Sequence, residues 1–467
     1  ILCTLHAPKN PQNWSTGRKL FITTQICLLN FGIYIGSSIY TPGEPSVMEE
    51  FGVSEVVATL GLSLFVLYID LGYGLGPMLF SPMSEVPTIG RSRIYFWTLF
   101  LFVLLQLPTG YASNIEMLLV FRFLSGFFGG PVLATGGATI IDIDPPADIP
   151  YVIGIFGACG VLGPVFGPLV GGFASQAKGW RWTIWELAWL CAVVLIMLFF
   201  FMPETNSSNI LYRRAQRMRQ STNDLSFKSQ SEIDVAEVTA KGSIVTLSRA
   251  FTLTFTEPVI FFVDLYCGLL YGILYLWFVS FPVVFGDIYG FNTSQQGLVF
   301  LGIFVGGIVT LPCYLAWIRS YIVPRFSQPP VKPEVILPPT LLGALALPVC
   351  LFWYGWTSNA TIHWMAPLVG SSLFTISIIT LFMPVLSYLG MAYPYHAASV
   401  LAGNTLFRAS CGIVFPLFAR ALFRNLGVGP ANSLLGGLSI LFIPVPFILL
   451  NYGERMRRRS KNATHNV

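Results

Sequence analysis

Residues Gly160–Gly172 read GVLGPVFGPLVGG, with glycines or prolines at 160, 163, 164, 167, 168, 171 and 172. On a helix that turns 100° per residue, Gly160, Gly163, Gly167 and Gly171 fall within roughly an 80° stripe. A stripe without side chains lets a second helix approach closely, as small-xxx-small packing does inside membranes. Pro164 and Pro168 each remove a backbone hydrogen bond and can bend the helix that carries them. The surrounding residues, 150–174, are apolar throughout. They are long enough to cross a bilayer, which takes about 20 apolar residues per helix.

The rest of the chain repeats that pattern. Of its 467 residues, 54% are hydrophobic and 10% charged, and the mean hydropathy is +0.69. A soluble domain carries about 25% charged residues, so a water-soluble enzyme is excluded. The 44 glycines, 32 prolines and abundant aromatics fit membrane helices, where such residues are common. Twelve apolar runs are expected to span, near 20–40, 58–80, 94–111, 116–140, 150–174, 183–202, 256–283, 296–317, 337–356, 366–388, 396–424 and 430–451. The fold class is therefore an all-α polytopic membrane protein, twelve helices in two six-helix bundles. The implied segments are an N-terminal piece 1–19, a first bundle 20–202, a polar linker 203–255, a second bundle 256–451 and a basic tail 452–467. Within the linker, Tyr212–Gln220 (YRRAQRMRQ) reads as a basic amphipathic helix on the membrane surface. The chain begins at Ile1, so a longer natural N-terminus is expected.

Topology follows from the basic residues. With the N-terminus inside, 20 of the 26 Lys and Arg fall in inside segments. Lys178, Arg181, Arg420 and Arg424 fall outside, and Arg122 and Arg408 lie within runs. The positive-inside rule then places both termini in the cytoplasm. The net charge of +5 is a topology signal and no nucleic-acid footprint. Twelve helices as two sixes match transporters built from repeated halves. Channels, receptors and membrane-embedded enzymes remain open at this point. No GxxxxGK[ST] loop is present, none of the four histidines lies deep in a run, and no acid–histidine cluster has metal-ligand spacing. The eight cysteines read as small buried hydrophobes. No cofactor and no metal are expected.

The glycine–proline string resembles the antiporter signature of the drug:proton antiporters of the major facilitator superfamily. Gly76–Arg93 (GPMLFSPMSEVPTIGRSR) resembles that superfamily's glycine–acid–arginine loop signature. Gly76 opens it, Glu85 stands near the usual acid, and Gly90 and Arg91 match the glycine–arginine pair, with extra residues between Glu85 and Gly90. The resemblance implies a charge relay that latches the cytoplasmic side. Ser38–Ser54 (SIYTPGEPSVMEEFGVS), Gly179–Glu186 (GWRWTIWE), Pro203–Arg214 (PETNSSNILYRR) and Ala398–Phe423 are similar to fungal drug:proton antiporters, including the yeast exporters called benomyl/methotrexate resistance proteins. That likeness covers nearly the whole chain.

A charge inside lipid costs about 3 kcal/mol or more, which singles out Arg122, Asp70 and Asp264 for proton coupling, and the family resemblance adds Asp142. Arg122, in Arg-x-x-x-Gly with Gly126, resembles the family's second signature, whose arginine is linked to proton transfer. The bland alternatives are snorkelling to the outer surface, about 9 Å from the helix start, or holding helices together. Asp142 follows the fourth run and resembles the family's acid at that inner end. It is too far from Arg122 for a direct pair, and with Asp144 and Asp148 it could equally form a solvated acidic loop. Asp70 and Asp264 lie within the second and seventh runs, and Arg408 could pair with either. For substrate, Tyr266, Tyr271, Tyr275 and Phe278 give the seventh run a loose aromatic face suited to flat, apolar or cationic compounds, although such stripes commonly serve packing. Asn404 and Phe407 are added from the eleventh run.

The expected function is proton-coupled export of diverse drugs by alternating access, from a monomer in the fungal plasma membrane. The partners are small-molecule drugs, protons and the lipid bilayer, with no nucleic acid. The alternatives are an exporter of a physiological solute such as a polyamine, a gradient-driven uptake carrier, and a non-transporting sensor or scaffold.

Overall fold

The computed structural model describes residues 10–62, 65, 80, 83–84, 86–145, 148–224, 227–229, 253–326, 332–393 and 397–460. A backbone crossing lipid must bond its N–H and C=O groups within the segment, which a helix does. The first half holds α1 (Thr16–Ser38), α2 (Glu44–Phe51), α3 (Arg91–Gly110), α4 (Ile115–Gly129), α5 (Pro131–Ile143), α6 (Ile149–Lys178) and α7 (Trp180–Phe201). In the linker lies α8 (Ser207–Thr222), capped by the Asn206 side chain, which confirms a helix over the basic stretch. The second half holds α9 (Pro258–Phe281), α10 (Thr293–Val299), α11 (Leu301–Trp317), α12 (Pro339–Thr357), α13 (Met365–Ser372), α14 (Met383–Ala392), α15 (Ala397–Leu426), α16 (Val428–Phe442) and α17 (Pro444–Arg459).

Among the described residues, ten segments are long and apolar enough to cross a membrane. The fourth expected run is not among these ten because it is made of two pieces. Pro131 interrupts it, but Gly130 keeps helical dihedrals (φ −55°, ψ −40°), so α4 and α5 continue one another over about 40 Å. It also runs further than the sequence suggests. Asp142 lies in the last turn of α5 and does not follow the helix; the helix stops at Asp144, just before Pro145. Of the second expected run only 58–62, 65 and 80 are described, so Asp70 and Gly76 lie outside the described residues, as does Glu85. Large apolar side chains such as Trp189, Phe199 and Phe200 on α7 and Ile308 and Val309 on α11 face outward, as lipid-facing helices require. The chain is a multi-pass membrane protein.

The glycine string sets the central packing. A Cβ on Gly163 would lie 2.9 Å from the Ile35 nitrogen, one on Gly167 2.8 Å from the Ile39 nitrogen, and one on Gly171 3.0 Å from the Ile39 carbonyl carbon. The stripe on α6 thus meets the backbone of α1 directly. Pro168 has no N–H for the carbonyl four residues before it, and that carbonyl, on Pro164, accepts a hydrogen bond from the Ser38 hydroxyl at 3.0 Å. Nearer the other end, the Asn30 amide donates to the Phe156 carbonyl at 2.9 Å. The second half repeats the arrangement. Its first helix, α9, packs on its fifth, α15, where Gly268 faces the Phe407 backbone and Gly272 the Phe415 ring. In each six the first helix leans on the fifth, as repeated halves predict.

Two faces follow. The near face carries residues 10–16, the ends of α5 and α7, the start of α9 and residue 460. The far face carries α2, the 179 turn, the start of α10 and the end of α15. At the far turn Gly179 adopts φ +85°, a left-handed conformation that glycine takes without strain, and the chain reverses from α6 into α7.

A methyl group separates the two kinds of glycine in this fold. Gly167→Ala should destabilise the protein by about 1–3 kcal/mol, the usual cost of overpacking. Gly137→Ala, where a Cβ meets nothing within 4 Å, should be neutral or slightly stabilising. Thermal unfolding of both variants in detergent checks this; equal midpoints would mean that the α1–α6 contact is loose.

Candidate functional site

Four groups of polar residues interrupt the apolar interior. The first is a latch at the near face. Gly90 caps α3 with φ +80°, and a side chain there would strike the Glu204 carboxylate and Asn209. Glu204 lies just past α7 and accepts from the Arg91 N–H (3.0 Å), the Ser92 N–H (3.3 Å), the Ser92 hydroxyl (2.8 Å) and the Asn206 N–H (3.0 Å). A carboxylate at a helix N-terminus is stabilised by the exposed N–H groups and the helix dipole. Arg91 reaches the other way, its Nη2 lying 3.0 Å from Asp142 Oδ2. Asn206 and Asn209 donate to the Ser84 and Pro87 carbonyls at 3.1 and 2.6 Å. The loop signature and Asp142, read as separate devices in the sequence, meet here. Nor is the acidic loop uniformly solvated: Asp144 is 6% exposed, and burial pushes its carboxyl above the ordinary value against the pull of Lys19.

The second group centres on Arg122, which is fully buried and does not snorkel. Its Nε donates to the Gly61 carbonyl and its Nη1 to the Gly36 carbonyl, each at 3.2 Å. The guanidinium lies over the Tyr40 and Phe65 rings, 4.6 Å from each centroid. One cation therefore ties α4 to α1 and to the segment holding Gly61.

The third group is a stripe along α9. Asp264 is fully buried and accepts from the Asn404 amide at 2.9 Å, with Arg408 exerting its charge nearby. Arg408 lies over the Tyr271 ring at 5.3 Å. The rings of Tyr271 and Tyr275 are 4.9 Å apart, those of Tyr275 and Phe278 5.2 Å, and the Tyr275 hydroxyl donates to Ser37 of α1 at 3.0 Å. Two of the expected aromatic residues, one from the face and one from the eleventh run, belong elsewhere. Tyr266, five residues before Tyr271, is turned about 140° away and stacks on Phe442. Phe407 packs with Phe255 and Phe261 at the near end.

The fourth group joins the halves at the far face, and the sequence reading missed it. Glu55 pairs with Arg420 of α15. Gly172 meets the Thr293 carbonyl, Gly297 the Pro168 carbonyl, and the Ser294 N–H donates to Gln176 at 2.9 Å. Gly172 therefore faces the second half, whereas the other glycines of its string face α1. At the near face the named bridges each stay within one half: Arg91–Asp142 in the first, and Arg457–Glu334 and Lys332–Glu454 in the second. At the far face, then, the two halves are tied directly to each other. Among the described residues, no three His, Cys, Asp or Glu side chains converge as metal ligands would.

Glu204 and Glu44 were also missed. Both sit inside stretches whose family likeness was visible, Pro203–Arg214 and Ser38–Ser54, and each is an acid at the edge of an apolar run, a signal shared with many solvated residues.

Known proteins agree with this architecture. The chain is 42% identical to a transporter of Schizosaccharomyces pombe named mfs1, over 98% of this chain and 87% of the relative. It is 42% identical to fluconazole resistance protein 1 of Saccharomyces cerevisiae, over 97% and 83%, and 36% identical to the cycloheximide resistance protein of Candida maltosa, over 98% and 84%. Its fold matches a solved proton:xylose symporter with a TM-score of 0.66 at 15% identity, covering 94% of this chain and 96% of that one. A peptide transporter matches with a TM-score of 0.64 at 14% identity, over 97% and 98%. The sequence profile of the Major Facilitator Superfamily matches residues 26–416, and with the paired first-on-fifth helices of its two halves the chain belongs to that superfamily.

Proposed function

We propose that the chain is a proton-driven exporter of drug-like small molecules, acting as a monomer in the plasma membrane with the near face, and so both termini, in the cytoplasm. The observation that carries the reading is the distribution of bridges: those at the far face join the two halves, those named at the near face do not. Such an arrangement is that expected of one end state of alternating access, in which the polar ties between the halves lie at the far face. The relatives named for fluconazole and cycloheximide resistance supply the substrate class, and the basic residues supply the orientation. The segment boundaries at 19, 202, 255 and 451 form part of this proposal.

Each group then has a task. Arg122 holds α1 and the Gly61 segment through their carbonyls, so movement of either changes the surroundings of the buried cation and, through its charge, the proton affinity of nearby acids. Asp264, hydrogen-bonded by Asn404 and facing Arg408, is the buried acid of the second half. The Tyr271–Tyr275–Phe278 face, bonded to Ser37 in this state, meets substrate when the halves part. Asp142 and Arg91 hold the near-face latch, and Glu204 anchors it.

Inside-out vesicles loaded at acid pH and diluted into neutral buffer test the function. Labelled fluconazole and cycloheximide should accumulate, and an ionophore that collapses the proton gradient should abolish the accumulation. Accumulation of neither compound, or accumulation unaffected by the ionophore, contradicts the proposal. Arg122→Ala should lower uphill transport at least tenfold; Arg122→Lys, which keeps the charge but not the two-armed donor, should retain part. Undiminished gradient-driven transport in Arg122→Ala would make the arginine a structural tie alone. In a double-mutant cycle, Arg91→Ala and Asp142→Asn should each slow transport, and the pair should be little worse than either. A coupling energy of about 1 kcal/mol is expected for residues in contact; strict additivity would remove the latch.

A further inference from the structure

Glu44, the first residue of α2, lies beside the far-face junction of the halves and has no task in the function proposed above. The Thr59 hydroxyl donates to its Oε2 at 3.1 Å, while its Oε1 is buried without a hydrogen-bond partner. The cations that could neutralise it are engaged elsewhere. Arg420 pairs with Glu55, and Arg424 lies 4.0 Å from the same carboxylate. Arg122 gives two donors to the Gly36 and Gly61 carbonyls, and its buried Nη2 has no partner. Tyr40, whose ring lies under the Arg122 guanidinium, spends its hydroxyl on the Ala58 carbonyl at 3.2 Å. Glu44 feels the charges of Arg420, Arg122 and Glu55 without a direct bridge to any.

Next to it lies a cavity of about 310 Å³ lined by Glu55, Thr59, Val279, Arg420, Arg424 and Asn425, room for about ten waters at 30 Å³ each. Thr59 therefore has one side on this cavity and its hydroxyl on Glu44. A carboxylate needs several donors when it leaves water; here one is present and one oxygen is orphaned. A neutral carboxyl group in the same place forgoes the charge and loses far less.

We propose that Glu44 is a proton-binding site linked to the far-face gate: as the Glu55–Arg420 contact closes, Glu44 takes one proton from water on the far side, and it returns to the charged form when the gate opens and rehydrates it. The inference rests on the proton-driven reading above and adds the acid at which the outer proton lands. Only the carboxylate oxygen gains a bond, to the proton, and no other covalent bond changes. Arg122 connects the event to α4, because it grips the Gly36 and Gly61 carbonyls, which flank Glu44 in the sequence.

Distances across the gate test it. Spin labels at Ser54→Cys and Leu426→Cys, in full-length protein with the native cysteines replaced and reconstituted in nanodiscs, report the opening between pH 5 and 8.5. In the parent the short-distance, closed population should rise as pH falls. Glu44→Gln, which resembles the protonated acid, should stay closed across the range. Thr59→Val, which removes the one donor to the charged form, should move the transition to higher pH, and it decides the matter if Glu44→Gln folds poorly. A parent gate indifferent to pH, a Glu44→Gln profile like the parent's, or an unmoved transition in Thr59→Val overturns the site. Vesicle uptake on the same variants separates the two claims. Gradient-driven uptake with a gate that ignores Glu44 overturns this site alone, and a gate that titrates through Glu44 without gradient-driven uptake overturns the proton drive alone.

Discussion

Backbone contact between α1 and α6 is the constraint on which the other features rest. Gly163, Gly167 and Gly171 leave no room for a side chain between the two helices, and the Ser38 hydroxyl fills the hydrogen-bond vacancy that Pro168 creates at the Pro164 carbonyl. Lipid offers no hydrophobic drive to hold helices together, so close packing and an interhelical hydrogen bond of this kind supply the association. With α1 fixed on α6, the Gly36 carbonyl is presented to Arg122 and Ser37 to Tyr275. On its other side, α6 meets the second half at Gly172. One helix therefore belongs rigidly to its own half and also forms part of the surface against which the other half closes.

The charged groups divide between the two faces in a way that suits exchange. The Glu204–Arg91–Asp142 latch ties the start of the linker to α3 and α3 to α5, and neither bond reaches the second half. Glu55–Arg420 spans both halves. Any separation of the halves there must break that ion pair as well as the Gly172–Thr293, Gly297–Pro168 and Ser294–Gln176 contacts.

The fold was legible in the sequence because length and hydrophobicity set membrane crossings directly, and the 3- and 4-residue glycine spacing marked the helix face that packs. The division of that string was not: Gly172 is 100° from Gly171 and faces the other half, a distinction that needs the partner helix in view. Arg122 was recognisable by the cost of its burial, yet its partners are main-chain carbonyls, which carry no signature in the sequence. Asp142 was placed at the correct end of its helix with the wrong surroundings, since the pairing with Arg91 depends on how the chain turns through residues 83–91. Glu44, Glu55 and Arg420 were invisible as a group, being distant in sequence and each ordinary at the end of a helix. Tyr266 was misassigned because a five-residue step leaves the helix face.

The central claim is that α1 and α6 move as one body while the far face opens and closes against the second half. Three exposed positions test it in one reconstituted preparation: Leu28 on α1, Phe173 on α6 and Leu298 on α10, labelled in pairs for distance measurement across a range of pH. The account predicts a single narrow 28–173 distance under every condition and two exchanging populations for 173–298. A 28–173 distance that varies together with 173–298, or a 173–298 distance with one population throughout, would contradict it.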